Sequence, residues 1–379
     1  MTIPGGESAE DTTWMLAPST PILRRETSED VAHFIVVTHG SESGKKIDVG
    51  LNPISLGRHH DNQLVLSDPC ISGHHCIVTF ADGQLQVTDT GSTNGTFIDG
   101  KRISGQTEWP ITAALLIGNQ TLRHEYRHRD EMRRSDELND NLKHAARYVQ
   151  SLLPRPWLDG PMTASWRFLP SAELGGDIFD YFWLDGEHLI FYLLDVCGHG
   201  TEAALHSVSV FNLLRHRSLA NVDFGRPTQV LQALNEAMPM DVYGDMYFTL
   251  WYGVYRPRDR LLRFASGGHP PALLFDHEGH RHIELYTPDP PIGVIANQQY
   301  HEEIVTLPPG SRIYLYSDGV YEMTTQAGDP WSRGEFVQWL AGQLRDGSGQ
   351  PDTIFQKIRD LTKSQRLDDD FSLLALDFS

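Results

Sequence analysis

Residues Asp195–Thr201 read Asp-Val-Cys-Gly-His-Gly-Thr and follow the unbroken apolar run Leu189–Leu194. A run of that length and bulk predicts a buried strand. Beyond it, Ala204, Leu205, Val208, Phe211 and Leu214 recur at helical spacing, which predicts a helix over 202–217. A carboxylate therefore stands where a strand ends, a glycine loop turns the chain and a helix begins. Such a junction suits a metal or phosphate site. The strand is rigid, glycine permits close backbone approach, and a helix N-terminus favours anions. An aspartate among glycines is equally at home in an ordinary turn, so the reading depends on what else the chain carries.

Three further acidic positions sit at the edges of predicted strands. Asp177 ends Glu173-Leu174-Gly175-Gly176-Asp177, Asp318 follows the apolar run Ile313–Tyr316, and Asp368-Asp369-Asp370 precede Phe371–Phe378. None of these motifs includes a Lys or Arg. Carboxylates converging without a balancing base repel one another unless cations bind among them. All-oxygen ligation selects hard ions such as Mg2+ or Mn2+.

The order Leu152-Leu153-Pro154, Gly175-Gly176-Asp177, Asp195–Gly200, Gly267-Gly268-His269-Pro270-Pro271, Pro291–Val294, Tyr316-Ser317-Asp318-Gly319 and Asp368–Ser372 resembles the SpoIIE/RsbU branch of the metal-dependent Ser/Thr protein phosphatases (PPM, type 2C). The resemblance implies an α-β-β-α sandwich over 154–379 holding two Mn2+ or Mg2+ ions. It assigns the metals to Asp177, Asp195, the Val196 backbone carbonyl, Asp318 and Asp369, with Asp195 bridging. Catalysis would pass through Asp195 and Asp318 by way of a metal-bound water. Asp369 is chosen over Asp368 and Asp370 because Asp370-Phe371-Ser372 matches the family's Asp-aliphatic-Thr. Cys197 is read as a small loop residue, since no Arg follows at the spacing a thiol nucleophile needs. His199 and His269 are read as loop architecture.

Upstream, short apolar runs such as His33–Val37, Ile54–Leu56, Cys76–Phe80 and Leu85–Val87 alternate with Gly, Asp, Asn and Ser. This texture predicts an all-β sandwich over 31–125. Gly57-Arg58, Ser72-Gly73-His74-His75 and Gly91–Thr96 resemble the forkhead-associated (FHA) domain, which binds phosphothreonine peptides. By that resemblance Arg58 and Ser72 meet the phosphate, Thr93 the phosphate or adjacent backbone, and Asn94 the peptide main chain. His75 would buttress the loops. An Arg fork and hydroxyls make charge-assisted bonds to phosphate oxygens. Gly73 stands where the family often has a larger polar or basic residue, so phosphate affinity is either reduced or supported by His74 instead.

Residues 1–30, rich in Thr, Ser, Pro and acid, read as a disordered tail. Thr20 has Leu23 at +3 and Thr27 has Asp30 at +3, so either would serve the FHA domain as a self-ligand once phosphorylated. Arg123–Leu153 lacks Gly and Pro, and Leu138, Leu142, Ala145, Val149 and Leu152 follow a 4-3-4-3 seam. Residues 126–153 are expected to be a linker helix that either lies on the phosphatase domain or pairs with a second copy as a homodimer. Further helices are expected at 228–238, 333–345 and 352–364. Further strands are expected at 163–168, 179–183, 248–255, 261–265, 272–276, 312–317 and 371–378.

A formal charge of −19 argues against nucleic acid and anionic membrane as partners. No apolar run approaches the ~20 residues of a membrane helix. Three unrelated cysteines form neither a disulfide framework nor a zinc motif, so a reducing, cytoplasmic setting is expected. Together these readings give a multidomain α+β protein. Its expected function is metal-dependent hydrolysis of a phosphoserine or phosphothreonine protein, addressed by phosphothreonine at the FHA domain. An anti-sigma factor antagonist fits the branch as substrate. The alternative is a pseudophosphatase or FHA adaptor that binds phosphoproteins without hydrolysing them.

Overall fold

The computed structural model describes residues 31–379 apart from Asp82, His280, Ala327 and 363–366. The expected tail, with Thr20 and Thr27, lies outside the described residues. The described residues form two compact units, divided between Leu138 and Asn139.

The first unit is built from β1 (Val31–His39), β2 (Lys46–Val49), β3 (Ile54–Gly57), β4 (Leu64–Val65), β5 (Cys76–Ala81), β6 (Gln84–Asp89), β7 (Thr96–Ile98), β8 (Lys101–Arg102), β9 (Gln106–Trp109), β10 (Ala114–Ile117) and β11 (Gln120–His128). They pair as two sheets, β2-β1-β11-β10-β7-β8 and β4-β3-β5-β6-β9. Val37, Leu56, Val78, Val87, Trp109, Leu115 and Leu122 close the core. The expected sandwich is present, with one correction at its end. Arg123–His128, expected as the start of the linker helix or of the boundary beyond 125, continues β11 and pairs with β1 in register from Val31↔His128 to Val37↔Leu122. Its buried Gln120, Leu122 and His124 alternate with less buried neighbours, a strand period that the dense charge of the segment hides.

Helix α1 runs Arg129–Leu152 and stops before Pro154. Within the second unit, Val149 is buried against Leu174 and Ala204, with Leu142, Ala146 and Val208 packed around them. Leu152 packs on the neighbouring core. Leu142, Val149 and Leu152 of the expected seam are therefore covered inside the unit, while Leu138 and Ala145 are exposed.

The second unit has β12 (Met162–Leu169), β13 (Ile178–Trp183), β14 (Leu189–Val196), β15 (Phe248–Arg256), β16 (Leu261–Gly267), β17 (Ala272–Phe275), β18 (His282–Leu285), β19 (Glu303–Thr306), β20 (Arg312–Tyr316) and β21 (Phe371–Phe378). Its helices are α2 (Thr201–Arg215), α3 (Pro227–Ala237), α4 (Arg333–Arg345) and α5 (Pro351–Leu361). The sheets are β13-β14-β15-β16-β19 and β12-β21-β20-β17-β18. Along β14, Ile190, Tyr192 and Leu194 face α2 and α3, whereas Leu189, Phe191 and Leu193 face the other sheet. Along β21, Phe371, Leu373 and Ala375 face α4 and α5, and Leu374, Leu376 and Phe378 face inward. Each strand is thus buried on both faces, which is why its sequence is continuously apolar. A fully buried Phe or Leu contributes about 1.5–3 kcal/mol. Pro227 and Pro351 open α3 and α5, and Ser332 with Glu335 forms a capping box at α4. The α-β-β-α sandwich is the expected one. Among the described residues, no helix is long and apolar enough to cross a membrane.

Candidate active site

In each sheet two antiparallel neighbours bring an aspartate to the same end. Asp177 immediately precedes β13 and Asp195 lies in the last turn of β14, inside the strand rather than after it. Asp318 follows β20 and Asp369 precedes β21. The carboxyls of the two sheets lie close enough to feel one another's charge. Burial, then the charges of Asp318 and Asp369, push the Asp195 carboxyl well above the usual range. Asp177 is pushed up by burial and then by Asp195 and Asp370. Burial, Asp369 and Glu322 bring Asp318 up to about 6. Burial also raises Asp369. The structure therefore gathers Asp177, Asp195, Asp318 and Asp369.

Both carboxylate oxygens of Asp177 are buried without a hydrogen-bond partner. Such atoms cost about 1–3 kcal/mol or more when left unsatisfied. An oxygen-only donor set, buried at Asp177 and half-buried at the other three aspartates, fits hard divalent cations. The Val196 carbonyl oxygen lies beside the Gly176 backbone, where a built Cβ would sit 3.0 Å from it.

The triple aspartate divides its labour. Asp370 is buried and both of its oxygens are occupied by loop donors. Oδ1 accepts from Ser171 N at 2.7 Å and Ser171 Oγ at 2.9 Å, and Oδ2 from Gly176 N at 2.6 Å. Asp369 is the member whose charge reaches Asp318 and acts more strongly on Asp195, while Asp370 acts on Asp177 and more weakly on Asp195. Asp368 is exposed and lines a cavity of about 310 Å³ with Ser171, Ala172, His199 and Leu367. The clamping role of Asp370 is a residue function that the sequence reading missed. Three identical neighbours carry no signal that separates them; the hydroxyl of Ser171 and the Gly-Gly pair were the available hints. Close packing makes glycine obligatory at two places. A Cβ on Gly175 would lie 2.5 Å from Asp370 Oδ2, and one on Gly319 would lie 2.1 Å from the Asp370 carbonyl oxygen.

The flanking loop residues are placed as follows. Cys197 N donates to Tyr247 O at 3.0 Å and Cys197 Sγ accepts from Tyr247 N at 3.3 Å, the small loop role expected. His269 is buried with Nδ1 2.8 Å from Thr249 Oγ1, and Thr249 pairs with Asp195 across the sheet. His199 is exposed and lines the same cavity as Asp368.

In the first unit, Arg58, Ser72, Thr93 and Asn94 converge on one stretch of backbone. Arg58 Nε donates to Ile71 O at 3.2 Å and Asn94 Nδ2 to Cys70 O at 2.8 Å. Ser72 Oγ accepts from Thr93 N at 3.0 Å. His75 is buried between the loops; Nδ1 accepts from Ser72 N at 3.1 Å, which leaves Nε2 to donate to Gly95 O at 3.2 Å. Asp89 was not anticipated. It accepts from the amides of Gly91 and Ser92 and the hydroxyls of Ser92 and Thr96. Burial opposes its ionisation, but these bonds from Ser92, Thr96 and Gly91 prevail and hold its pKa down to about 2. An Asp two residues before Gly-Ser is the local cue for such a turn.

Residues 185–379 match the family model described as Stage II sporulation protein E (SpoIIE), and residues 54–118 match that of the FHA domain. The chain is 26% identical over 187 residues to the phosphoserine phosphatase RsbP of Bacillus subtilis, covering 48% of this chain but only 45% of RsbP. It is 34% identical over 107 residues to the FHA domain-containing protein FhaB of Mycolicibacterium smegmatis, covering 28% of this chain and 69% of FhaB. In fold it is similar to the SiaA-PP2C domain of Pseudomonas aeruginosa, with a TM-score of 0.55 at 19% identity, over 65% of this chain and 98% of that domain.

Proposed function

Because the chain belongs to the SpoIIE family of PPM-type phosphatases and carries an FHA domain, we propose that it hydrolyses phosphoserine or phosphothreonine in a protein and is addressed by phosphothreonine at its FHA domain. The observation that carries the hydrolytic reading is the gathering of Asp177, Asp195, Asp318 and Asp369 with both Asp177 oxygens buried and unpartnered. Those four carboxylates and the Val196 carbonyl would hold two Mn2+ or Mg2+ ions. When bound, such ions supply a water of lowered pKa and neutralise phosphoryl oxygen charge.

The chain's own residues supply position and exclusion. Asp195, near the end of a strand buried along both faces, is held rigidly where the charges of Asp318 and Asp369 from the other sheet act on it. Asp370 fixes the Gly175-Gly176-Asp177 loop by its bond to Gly176, so the acidic ends of β13 and β21 keep a constant separation. The cavity lined by Ser171, His199 and Asp368 opens beside Asp369 and gives a phosphorylated side chain room to approach. At the FHA loops, Arg58 brings the guanidinium and Ser72 and Thr93 the hydroxyls that a phosphate requires. An anti-sigma factor antagonist is the kind of substrate this branch suggests.

The test is phosphate release from a phosphoserine or phosphothreonine peptide with and without Mn2+, comparing wild type with Asp195→Asn. Mn2+-dependent release that the substitution abolishes is the expected result. Release that ignores both metal and substitution would sink the proposal.

A further inference from the structure

A second group of metal-ligating side chains lies outside the aspartate centre, on the loops that carry Arg58 and Ser72. His59, Asp61 and His74 each place one ligand atom within 4.8 Å of the others. His59 Nδ1 is 2.6 Å from Asp61 Oδ1, and His74 Nε2 is 3.8 Å from the same oxygen. We propose that these three side chains form a site for a divalent cation of the zinc class.

The donor chemistry differs from that of the aspartate centre. Two imidazoles and one carboxylate suit Zn2+, Co2+ or Ni2+, whereas an all-oxygen set suits Mg2+ and Mn2+. The site is also organised before any ion arrives. Asn62 is buried, and its Nδ2 donates to His59 O at 2.8 Å and to Gly73 O at 2.7 Å, tying together the two loops that present the ligands. His59 N donates to Gly73 O at 2.9 Å and Arg58 N to Ser72 O at 2.9 Å, which fixes the same register.

The orientation of His74 follows from its other nitrogen. Nδ1 lies 3.3 Å from Asn62 Oδ1, an acceptor, so Nδ1 carries the proton and the lone pair of Nε2 is directed to Asp61. A hydrogen bond from the non-ligating nitrogen to a fixed acceptor is how imidazole ligands are set in tautomer and angle. All three side chains are exposed. Solvent access supplies an entry path and a fourth position for water.

The experiment uses the full chain, stripped with chelator and returned to buffer with excess Mg2+. Zn2+ is titrated calorimetrically and Co2+ is followed by its visible absorption. Wild type is expected to bind one more Zn2+ per chain than His59→Ala or His74→Ala, or to bind it about tenfold or more tightly. The Co2+ bands should fade in both variants. His59 belongs neither to the aspartate centre nor to the phosphate contacts, so in His59→Ala melting without added zinc and phosphatase activity should stay at wild-type values. Identical zinc stoichiometry and affinity in wild type and both variants would overturn the proposal and leave an ordinary surface His–Asp contact.

Discussion

The carboxylate of Asp370 accepts a hydrogen bond from the backbone amide of Gly176 at 2.6 Å, joining positions 194 residues apart in sequence. Its other oxygen is saturated by Ser171. The residue beside a candidate metal ligand is therefore a brace for the loop that carries another.

Replacing that brace separates positioning from ligation. Asp370→Ala should weaken Mn2+ activation by about 10–100-fold, the usual scale for losing a partner that orients ligands. At saturating Mn2+ part of the activity should return, whereas Asp369→Ala should remain inactive. A Mn2+ titration of phosphate release on both variants checks this; equal, unrecoverable loss would mean Asp370 is itself a ligand.

Neutralising one of the converging carboxyls should stabilise the metal-free protein. Asp195 is held against the charges of Asp318 and Asp369 in a poorly solvated place, so Asp195→Asn removes repulsion. With EDTA present, a gain of about 1 kcal/mol, or roughly 2–4 °C in melting temperature, is expected. Added Mn2+ should raise the wild-type melting point and leave the variant nearly unmoved. Calorimetry with and without metal decides it.

Binding and catalysis should come apart at the FHA loops. Arg58→Ala should abolish capture of a phosphothreonine peptide while leaving hydrolysis of a small aryl phosphate unchanged. His75→Ala should lose capture too, but with a cost of about 2 kcal/mol, because it leaves Ser72 N and Gly95 O without their buried partner. Fluorescence anisotropy and urea unfolding measure the two effects. Retained peptide binding in Arg58→Ala would remove the phosphate assignment.

The first unit should weaken in mild acid. Burial, then the neighbouring His33, lower the His124 pKa from 6.5 to about 4. The unfolded chain takes up this proton near 6.5 and the folded chain only near 4. Between those values the unfolded state binds more protons, so stability is fully present above about 6.5 and is lost as pH falls toward 4. The loss should reach roughly 3 kcal/mol at the acid end. His124→Gln should flatten that slope in calorimetric scans between pH 7 and 4, and an unchanged slope would locate the acid sensitivity elsewhere.

Elements buried on both faces were the most legible. The strand Phe371–Phe378 occurs as expected, because its continuous apolar run serves two cores at once. The strands His282–Leu285 and Glu303–Thr306 were not anticipated, since neither has more than one fully buried residue to mark a period. In α2 the helical spacing suggested Leu205 as an inward position, yet Leu205 is exposed and His206 is buried. Local pattern does not rank a polar ring that packs against Tyr243 and Phe248 above an aliphatic neighbour. The positions of the four aspartates were legible because each lies at or within two residues of a strand end. The partners of Asp370 and the meeting of His59 with His74 depend on tertiary loop contacts that no spacing rule encodes.

The near contact between Gly319 and the Asp370 carbonyl bears on how this protein can change over generations. A methyl group at position 319 would collide with main chain, not with a side chain able to rotate away. Relief would have to come from prising the end of β20 from the start of β21, the two places that deliver Asp318 and Asp369. Lineages can therefore redecorate the exposed position 368 freely, while position 319 stays closed to every residue larger than hydrogen. Directed evolution toward new phosphorylated substrates would find its room along the cavity wall at Ala172, His199 and Asp368, and almost none at the seam beneath it.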